Sequence, residues 1–173
     1  MEPTEEVWAE IEEAPGYVVS NLGNVRSTRS DRLIKIQVPK RGTVYAPLFV
    51  DGVQLNLPVK RLVASAFLEA PDRNCNTPIN KDGDATNNRV TNLAWRPRWY
   101  AINYARQFAN PSNVEGVGPV FVVGTDEVFD TVRDAGIHYG LLFREVYKAV
   151  YHEQPVYPLG ISFRIPHSIQ VRE

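Results

Sequence analysis

The sequence predicts an α+β fold, and three observations support this prediction. Two Asp-Gly pairs, Asp51-Gly52 and Asp82-Gly83, are strong signals for two-residue hairpin turns, because both residue types tolerate positive φ. Apolar residues in the segment 59–67 recur at the spacing of an amphipathic helix. The apolar fraction of 43% and the charged fraction of 23% are ordinary for a globular protein.

Length and composition exclude several classes of protein. A chain of 173 residues holds one medium domain or two small ones. No apolar run reaches membrane-spanning length, and the acidic N-terminus does not resemble a signal peptide. The single Cys75 excludes an internal disulfide or a cysteine zinc site, and it fits a reducing cytoplasm.

Charge is unevenly distributed along the chain. Residues 1–25 contain six acidic residues and no Lys or Arg. Residues 26–106 contain 14 Lys and Arg against six Asp and Glu, a net charge of about +8, whereas residues 107–173 carry about −3. A basic excess of this kind favours nucleic-acid binding by the middle segment; a mixed solvated surface is the alternative.

The first predicted element is a small antiparallel sheet. Trp8 and Ile11 are apolar anchors, and Pro15-Gly16 makes a turn into a strand at 17–19. A tight loop at 21–24 leads to a strand at 25–27. Two further strand-like runs, 44–50 and 53–57, flank the Asp51-Gly52 turn and complete a basic sheet module.

Two helices are predicted in the basic segment. The first begins after Pro58, carries Lys60 and Arg61 near its start, and ends by Pro71. The second covers 96–106, where arginines alternate with Trp99, Tyr100 and Tyr104. This mixture is typical of nucleic-acid surfaces, although Trp99 and Tyr104 are equally compatible with a core role.

Between the helices lies a stretch, 80–95, that is dense in Asn and Asp. Short amides and carboxylates at this density can bind a hard cation or phosphate oxygens. An Asx-rich surface turn is the alternative interpretation.

The C-terminal part predicts a small α/β domain behind a linker at 107–118. We expect a strand at 119–123, a helix capped by residues 125–127 and ended by Gly136, a second helix from His138 to Val150, and a strand at 160–165. None of His138, His152 and His167 has the spacing of a metal-binding pair. The second helix, with Tyr139, Arg144, Tyr147 and Lys148, predicts the groove-reading helix of a helix-turn-helix arrangement.

Two motifs resemble the phage HNH homing endonuclease family. Residues 59–68 and 80–95 resemble its pattern V-H-R-L-V-A-x-A-F followed by N-H-K-D-G-N-x-x-N-N-x-x-x-N-L-x-W. Residues 5–27 resemble the nuclease-associated modular domain that precedes such nucleases. The resemblance covers 5–106 and implies a modular domain (1–58), a degenerate ββα HNH domain (59–106), a linker (107–118) and a C-terminal domain (119–173) that resembles a helix-turn-helix repeat.

The resemblance also identifies departures at the positions that carry catalysis. The catalytic histidine of the family falls on Asn80, and the metal ligand before it falls on Ile79. The histidine of the preceding helix falls on Lys60, and the Asn and His of the following helix fall on Ala101 and Tyr104. We therefore expect no catalytic residue and no metal ligand, with a residual polar site made of Asp82, Asp84, Asn87 and Asn92.

The function implied is double-stranded DNA binding without cleavage. One alternative is an active nuclease in which Asp82, Asp84, Asn87 and Asn92 surround Mg²⁺ and bulk hydroxide or Lys81 is the base. The other is a nuclease-derived module that binds a host or phage protein, for instance through the C-terminal domain. The resemblance implies the bacterial cytoplasm during phage infection, and no membrane partner. In such a module the Gly23 loop and Arg26 would lie near the nucleic acid. The expected DNA contacts are Arg26, Arg29, Arg32, Lys35, Lys40, Arg41, Lys60, Arg61, Lys81, Arg89, Arg96, Arg98, Arg106, Arg144 and Lys148.

Overall fold

The computed structural model describes residues 5–40, 42–152 and 154–166 and confirms the α+β class. The chain divides into two compact units, Met1–Ala101 and Ile102–Glu173. The finer division at residues 58, 106 and 118 stays a prediction. Arg41 and His167 lie outside the described residues.

The first unit begins with the predicted antiparallel sheet. Strands β1 (Trp8–Glu10), β2 (Tyr17–Ser20) and β3 (Val25–Ser27) pair in the order β1-β2-β3. Val19 and Val25 are fully buried in its core. The Arg26 guanidinium lies 4.4 Å from the centre of the half-buried Trp8 ring, so this tryptophan supports a charged side chain as well as the core.

A second hairpin follows, and it has the predicted turn. Strands β4 (Tyr45–Val50) and β5 (Val53–Pro58) pair in register around Asp51-Gly52, whose φ values are 50° and 79°. Two consecutive positive φ values make the two-residue turn that fits the twist of a hairpin. Pro58 then precedes helix α1 (Val59–Phe67), which buries Val59, Leu62 and Val63.

The third hairpin differs from the prediction. Strands β6 (Thr77–Asn80) and β7 (Leu93–Arg96) pair from Asn80↔Leu93 to Thr77↔Arg96. The two-residue turn predicted at Asp82-Gly83 is therefore wrong: residues 81–92 form one long loop, ended by a 3₁₀ turn at Val90–Asn92. Gly83 does adopt positive φ (80°), but Asp82 hydrogen-bonds to Asn92, ten positions later, so the two ends of the loop meet there and the residues between them bulge out.

Helix α1 carries this hairpin on the core of the first unit. It packs against β2, β5, β6 and β7. The Trp95 indole Nε1 donates to the carbonyl oxygen of Leu68, the residue that ends α1, at 3.1 Å. Helix α2 (Arg98–Ala109) follows β7 and completes a ββα unit; it runs three residues beyond its predicted end, into the segment predicted as linker.

The second unit contains a sheet in the order β10-β8-β9, made of β8 (Val120–Val122), β9 (Val128–Phe129) and β10 (Phe163–Arg164). Helices α3 (Val132–Tyr139) and α4 (Phe143–His152) pack against it. Val120, Phe143, Val146 and Phe163 are buried in its core.

Three predictions for this unit are wrong. The first part of the helix predicted behind Thr125–Glu127 is instead strand β9, because Val128 and Phe129 pair with β8 across a turn at Gly124, and the helix begins only at Val132. Thr131 is the true cap of α3, and its hydroxyl accepts from the Asp134 N–H at 3.1 Å.

Gly136 does not end the first helix. It lies inside α3. The position requires glycine because the Phe143 ring packs so closely that an added Cβ would be 2.5 Å from it. His138 and Tyr139 also belong to α3, and the second helix begins only at Phe143. No helix in the described part of the chain is both long and apolar enough to span a bilayer.

Candidate nucleic-acid interface

The long loop 81–92 is organised around the carboxylate of Asp82. Its Oδ1 accepts from the Asp84 N–H at 2.8 Å and from Asn92 Nδ2 at 2.9 Å. Its Oδ2 accepts from Asn87 Nδ2 at 2.6 Å. The amide of Asn92 also donates to the Asn87 carbonyl at 2.8 Å, and its Oδ1 accepts from the Asp82 N–H at 3.1 Å. Asp82 and two amides thus close the loop on itself.

Asn80 lies beside this network and is buried, with 7% of its surface exposed. Its Nδ2 donates to the Asn87 carbonyl at 2.9 Å and to Asn88 Oδ1 at 3.1 Å. Asn88 in turn donates to the Ala85 carbonyl at 3.1 Å. The side chain at the position where the resemblance expects a catalytic histidine is therefore a hydrogen-bond donor to the loop.

Asp84 forms a separate turn at the exposed tip of the loop. Its Oδ1 accepts from the Thr86 hydroxyl at 2.7 Å and from the Thr86 N–H at 2.8 Å. These two hydrogen bonds lower the pKa of the Asp84 carboxyl below its ordinary value. Of the four residues of the predicted residual site, the structure brings the side chains of Asp82, Asn87 and Asn92 together. Asp84 joins them through its backbone N–H, whereas its carboxylate bonds to Thr86.

The sheet of the first unit braces the same loop, a contact that the sequence did not predict. The Val90 N–H donates to the Asn21 carbonyl at 2.8 Å. Gly23 approaches Asn88 so closely that an added Cβ would lie 3.1 Å from its Cβ. The β2–β3 turn therefore supports the loop. In the sequence, the signal for this special position is the glycine of the tight loop 21–24, which adopts a positive φ (91°) in the structure.

Three of the predicted DNA contacts are cations withdrawn from solvent. Arg96 is 3% exposed, and its Nη1 donates to the Trp95 carbonyl at 2.8 Å. Burial lowers the pKa of the half-buried Lys60. Burial, and secondarily the charge of Arg96, also lowers the pKa of Lys81. Lys81 and Arg96 thus contribute positive potential in one region, next to the Asp82 loop.

The other predicted contacts divide by exposure. Arg26 is half-buried and bonds to Asp31 Oδ1 at 3.1 Å, and Arg89 is half-buried in the loop. Lys148 is exposed but bonds to Glu145 Oε1 at 3.0 Å. The remaining described ones are exposed side chains: Arg29, Arg32, Lys35, Lys40, Arg61, Arg98, Arg106 and Arg144.

Comparison with known proteins shows what this chain is similar to. Residues 6–49 match the NUMOD4 motif. DNA endonuclease I-HmuI of Bacillus phage SP01 is 39% identical over 89 residues, 51% of this chain and 51% of that relative. A solved structure of the HNH homing endonuclease I-HmuI, concerned with DNA binding and cleavage, matches with a TM-score of 0.51 and 27% identity over 94% of this chain and 99% of that chain.

This chain is similar to phage HNH homing endonucleases in sequence and in fold. The HNH endonuclease L245 of Acanthamoeba polyphaga mimivirus is a further relative, 27% identical over 143 residues, 78% of this chain and 41% of that relative. The chain spans about half the length or less of these two curated relatives.

The HNH-like motif of residues 80–95 lies in the ββα unit. Here it consists of β6, β7 and α2, with the Asp82 loop between its strands. The segment that matches NUMOD4 contains the sheet β1–β3, which braces the loop, and most of strand β4. The order of these two modules along the chain is the one that the resemblance predicts.

Proposed function

We propose that this HNH-like protein binds double-stranded DNA and does not cleave it. The observation that carries the proposal is the closed network of Asp82, Asn87 and Asn92, with Asn80 beside it as a donor. Similarity to HNH homing endonucleases and the net charge of about +8 over residues 26–106 support the DNA-binding half. The contacts would be mostly to phosphates, which hold a duplex without reading its sequence.

The chemistry of Asn80 supports the absence of cleavage. Activation of water requires a group that accepts a proton near neutral pH. A neutral amide does not, and both protons of the Asn80 amide nitrogen are already directed to Asn87 and Asn88 oxygens. The side chain stabilises the loop instead of facing a substrate.

The donor set of the loop does not fit a divalent metal ion such as Mg²⁺. A hard cation prefers several carboxylate or carbonyl oxygens with free lone pairs. Both oxygens of Asp82 already accept hydrogen bonds from loop amides, and Ile79 offers no ligand atom. Within the described residues no three His, Cys, Asp or Glu side chains lie together as a metal site.

Equilibrium binding to a duplex at several salt concentrations tests the DNA-binding half. We expect the logarithm of the affinity to fall steeply and linearly with the logarithm of salt, with a slope of about −0.9 per phosphate contacted. Binding that is absent at low salt, or that is insensitive to salt, would contradict the proposal.

A second candidate function, an active nuclease, is favoured by one observation. A lysine acts as a base only when its pKa is lowered, and burial lowers the pKa of Lys81. In that case Lys81 would accept the proton of the attacking water. Strand cleavage that is lost in Lys81→Met but kept in the control Lys40→Met would favour this candidate over the first.

A host or phage protein as partner of the second unit remains a third proposal. Capture of a defined partner by the wild-type chain, together with absence of DNA binding at low salt, would favour it.

A further inference from the structure

A cavity of about 460 Å³ lies in the second unit, where the end of α2 meets the start of α4. Its wall includes two arginines, Arg106 and Arg144, which the sequence alone gave no reason to bring together. The rest of the wall combines the polar Asn103, Gln107 and Ser112 with the apolar Leu142 and Phe143. Two guanidinium groups in the wall of one cavity favour an anionic ligand.

The balance of charge in the cavity is positive. Arg106 and Arg144 are both exposed, whereas the one carboxylate in the wall, Glu145, accepts a bond from Lys148 Nζ at 3.0 Å. Residues 107–173 as a whole carry an excess of acidic residues. Two arginines and a neutralised glutamate therefore make a local basic site in an acidic region.

Gln107 adds an unused donor to this site. Its Oε1 accepts from the Phe143 N–H at 2.9 Å, which fixes the orientation of the amide, since the nitrogen cannot accept that bond. Its Nε2 is buried and has no hydrogen-bond partner among the described residues. A buried N–H without an acceptor is unfavourable, and an oxygen that enters the cavity relieves it.

We propose that this cavity binds one backbone phosphate of DNA, shared between Arg106 and Arg144. The inference rests on the proposed DNA-binding function and assigns to it a second site, outside the Asp82 loop. A phosphodiester offers oxygens to both guanidinium groups at once, the arrangement for which the planar fork of arginine is suited. The site fixes the position of the duplex on the second unit and carries no base specificity.

A double-mutant cycle tests the sharing of one phosphate. Wild type, Arg106→Gln, Arg144→Gln and the double variant are titrated with a duplex at several salt concentrations. Because both side chains are exposed, all four proteins should melt at the same temperature. Arg164→Gln is the matched control, since Arg164 is an exposed arginine of the same unit that does not line the cavity.

The expected result is a coupled loss. Each single substitution weakens binding about tenfold, as for loss of a charge-assisted hydrogen bond. The double variant loses less than the product of the two, and its salt slope falls by about 0.9, the value for one phosphate. In wild type, the Gln107 side-chain amide resonance shifts with duplex but not with inorganic phosphate at equal phosphate concentration.

Two results would overturn the proposal. Independent effects that multiply, with a slope change near twice the value for one phosphate, would show that the arginines contact separate phosphates or none in common. Losses of duplex affinity no larger than that of Arg164→Gln would show that DNA does not bind in the cavity. An equal shift of the Gln107 resonance with inorganic phosphate would show the same. If wild type still binds the duplex in a salt-dependent way in the same series, the proposed DNA-binding function stands and only the cavity proposal fails.

Discussion

Two hairpins of the first unit carry the same Asp-Gly signal and use it differently. In β4–β5, Asp51 and Gly52 make the whole connection, and both residues have positive φ. In β6–β7, Gly83 also has positive φ, but the connection continues to Asn92. The difference lies in the side chains: Asp82 accepts three hydrogen bonds from its own loop, whereas no hydrogen bond involving the Asp51 side chain is described.

The comparison shows that a turn signal fixes local backbone conformation and does not fix the length of a connection. A loop rich in Asn and Asp can replace strand pairing by side-chain to backbone bonds. The consequence for function is that both oxygens of the Asp82 carboxylate already accept hydrogen bonds within the loop.

The largest expected effect is a difference in stability loss between substitutions at two glycines with positive φ. Gly23 (φ 91°) packs on Asn88, whereas Gly52 (φ 79°) has open space around it. Gly52→Ala should lower the free energy of unfolding by about 1 kcal/mol, from backbone strain alone. Gly23→Ala should lower it by about 3 kcal/mol, because strain and overpacking against the loop add.

Urea unfolding measures both values. Equal losses for the two variants would show that the β2–β3 turn does not brace the loop.

A smaller difference in stability is expected between Asp-to-Asn substitutions at two aspartates. Asp82→Asn replaces an acceptor of the Asn87 amide by a donor, and we expect a loss of about 2 kcal/mol in the free energy of unfolding. Asp51→Asn makes the same charge change in the exposed turn and should stay within about 0.5 kcal/mol of wild type. If Asp82→Asn were as stable as Asp51→Asn, the loop would not depend on the carboxylate.

The smallest expected effect concerns pH. Burial lowers the pKa of Lys81, and a bound phosphate raises it again, so the complex holds the proton more tightly than the free protein. As pH rises above the lowered pKa of Lys81, affinity for a duplex should fall, by up to about tenfold per pH unit. Lys81→Arg stays charged and should remove this dependence.

The matched control for Lys81→Arg is Lys40→Arg, on an exposed side chain of the basic segment. Loss of the pH dependence in Lys40→Arg, or its persistence in Lys81→Arg, would mean that Lys81 does not contact the phosphates.

Much of the first unit was predictable because its signals are local. The spacing of Val59, Leu62, Val63 and Phe67 predicts α1, and Asp51-Gly52 predicts the β4–β5 turn. In the second unit, the helix predicted at Val128 and Phe129 is wrong. Pairing with β8 determines the conformation of these two residues, and the Thr-Asp-Glu cap signal before them does not.

The composition of the candidate site was predictable, but its arrangement was not. Family resemblance located Asn80, Asp82, Asn87 and Asn92, whereas the brace from Asn21 and Gly23 depends on a contact between residues more than sixty positions apart. Likewise, Arg106 and Arg144 meet at one cavity because α4 begins where α2 ends in space.

Incubation of supercoiled plasmid with pure protein and Mg²⁺ or Mn²⁺, under salt conditions where binding is measured in parallel, tests the central claim most directly. A neutral amide at position 80 and an Asp82 carboxylate whose two oxygens accept hydrogen bonds from the loop predict a plasmid that is bound but remains supercoiled. Nicked plasmid that appears with wild type and disappears with Asn87→Ala or Asp82→Ala would contradict the account.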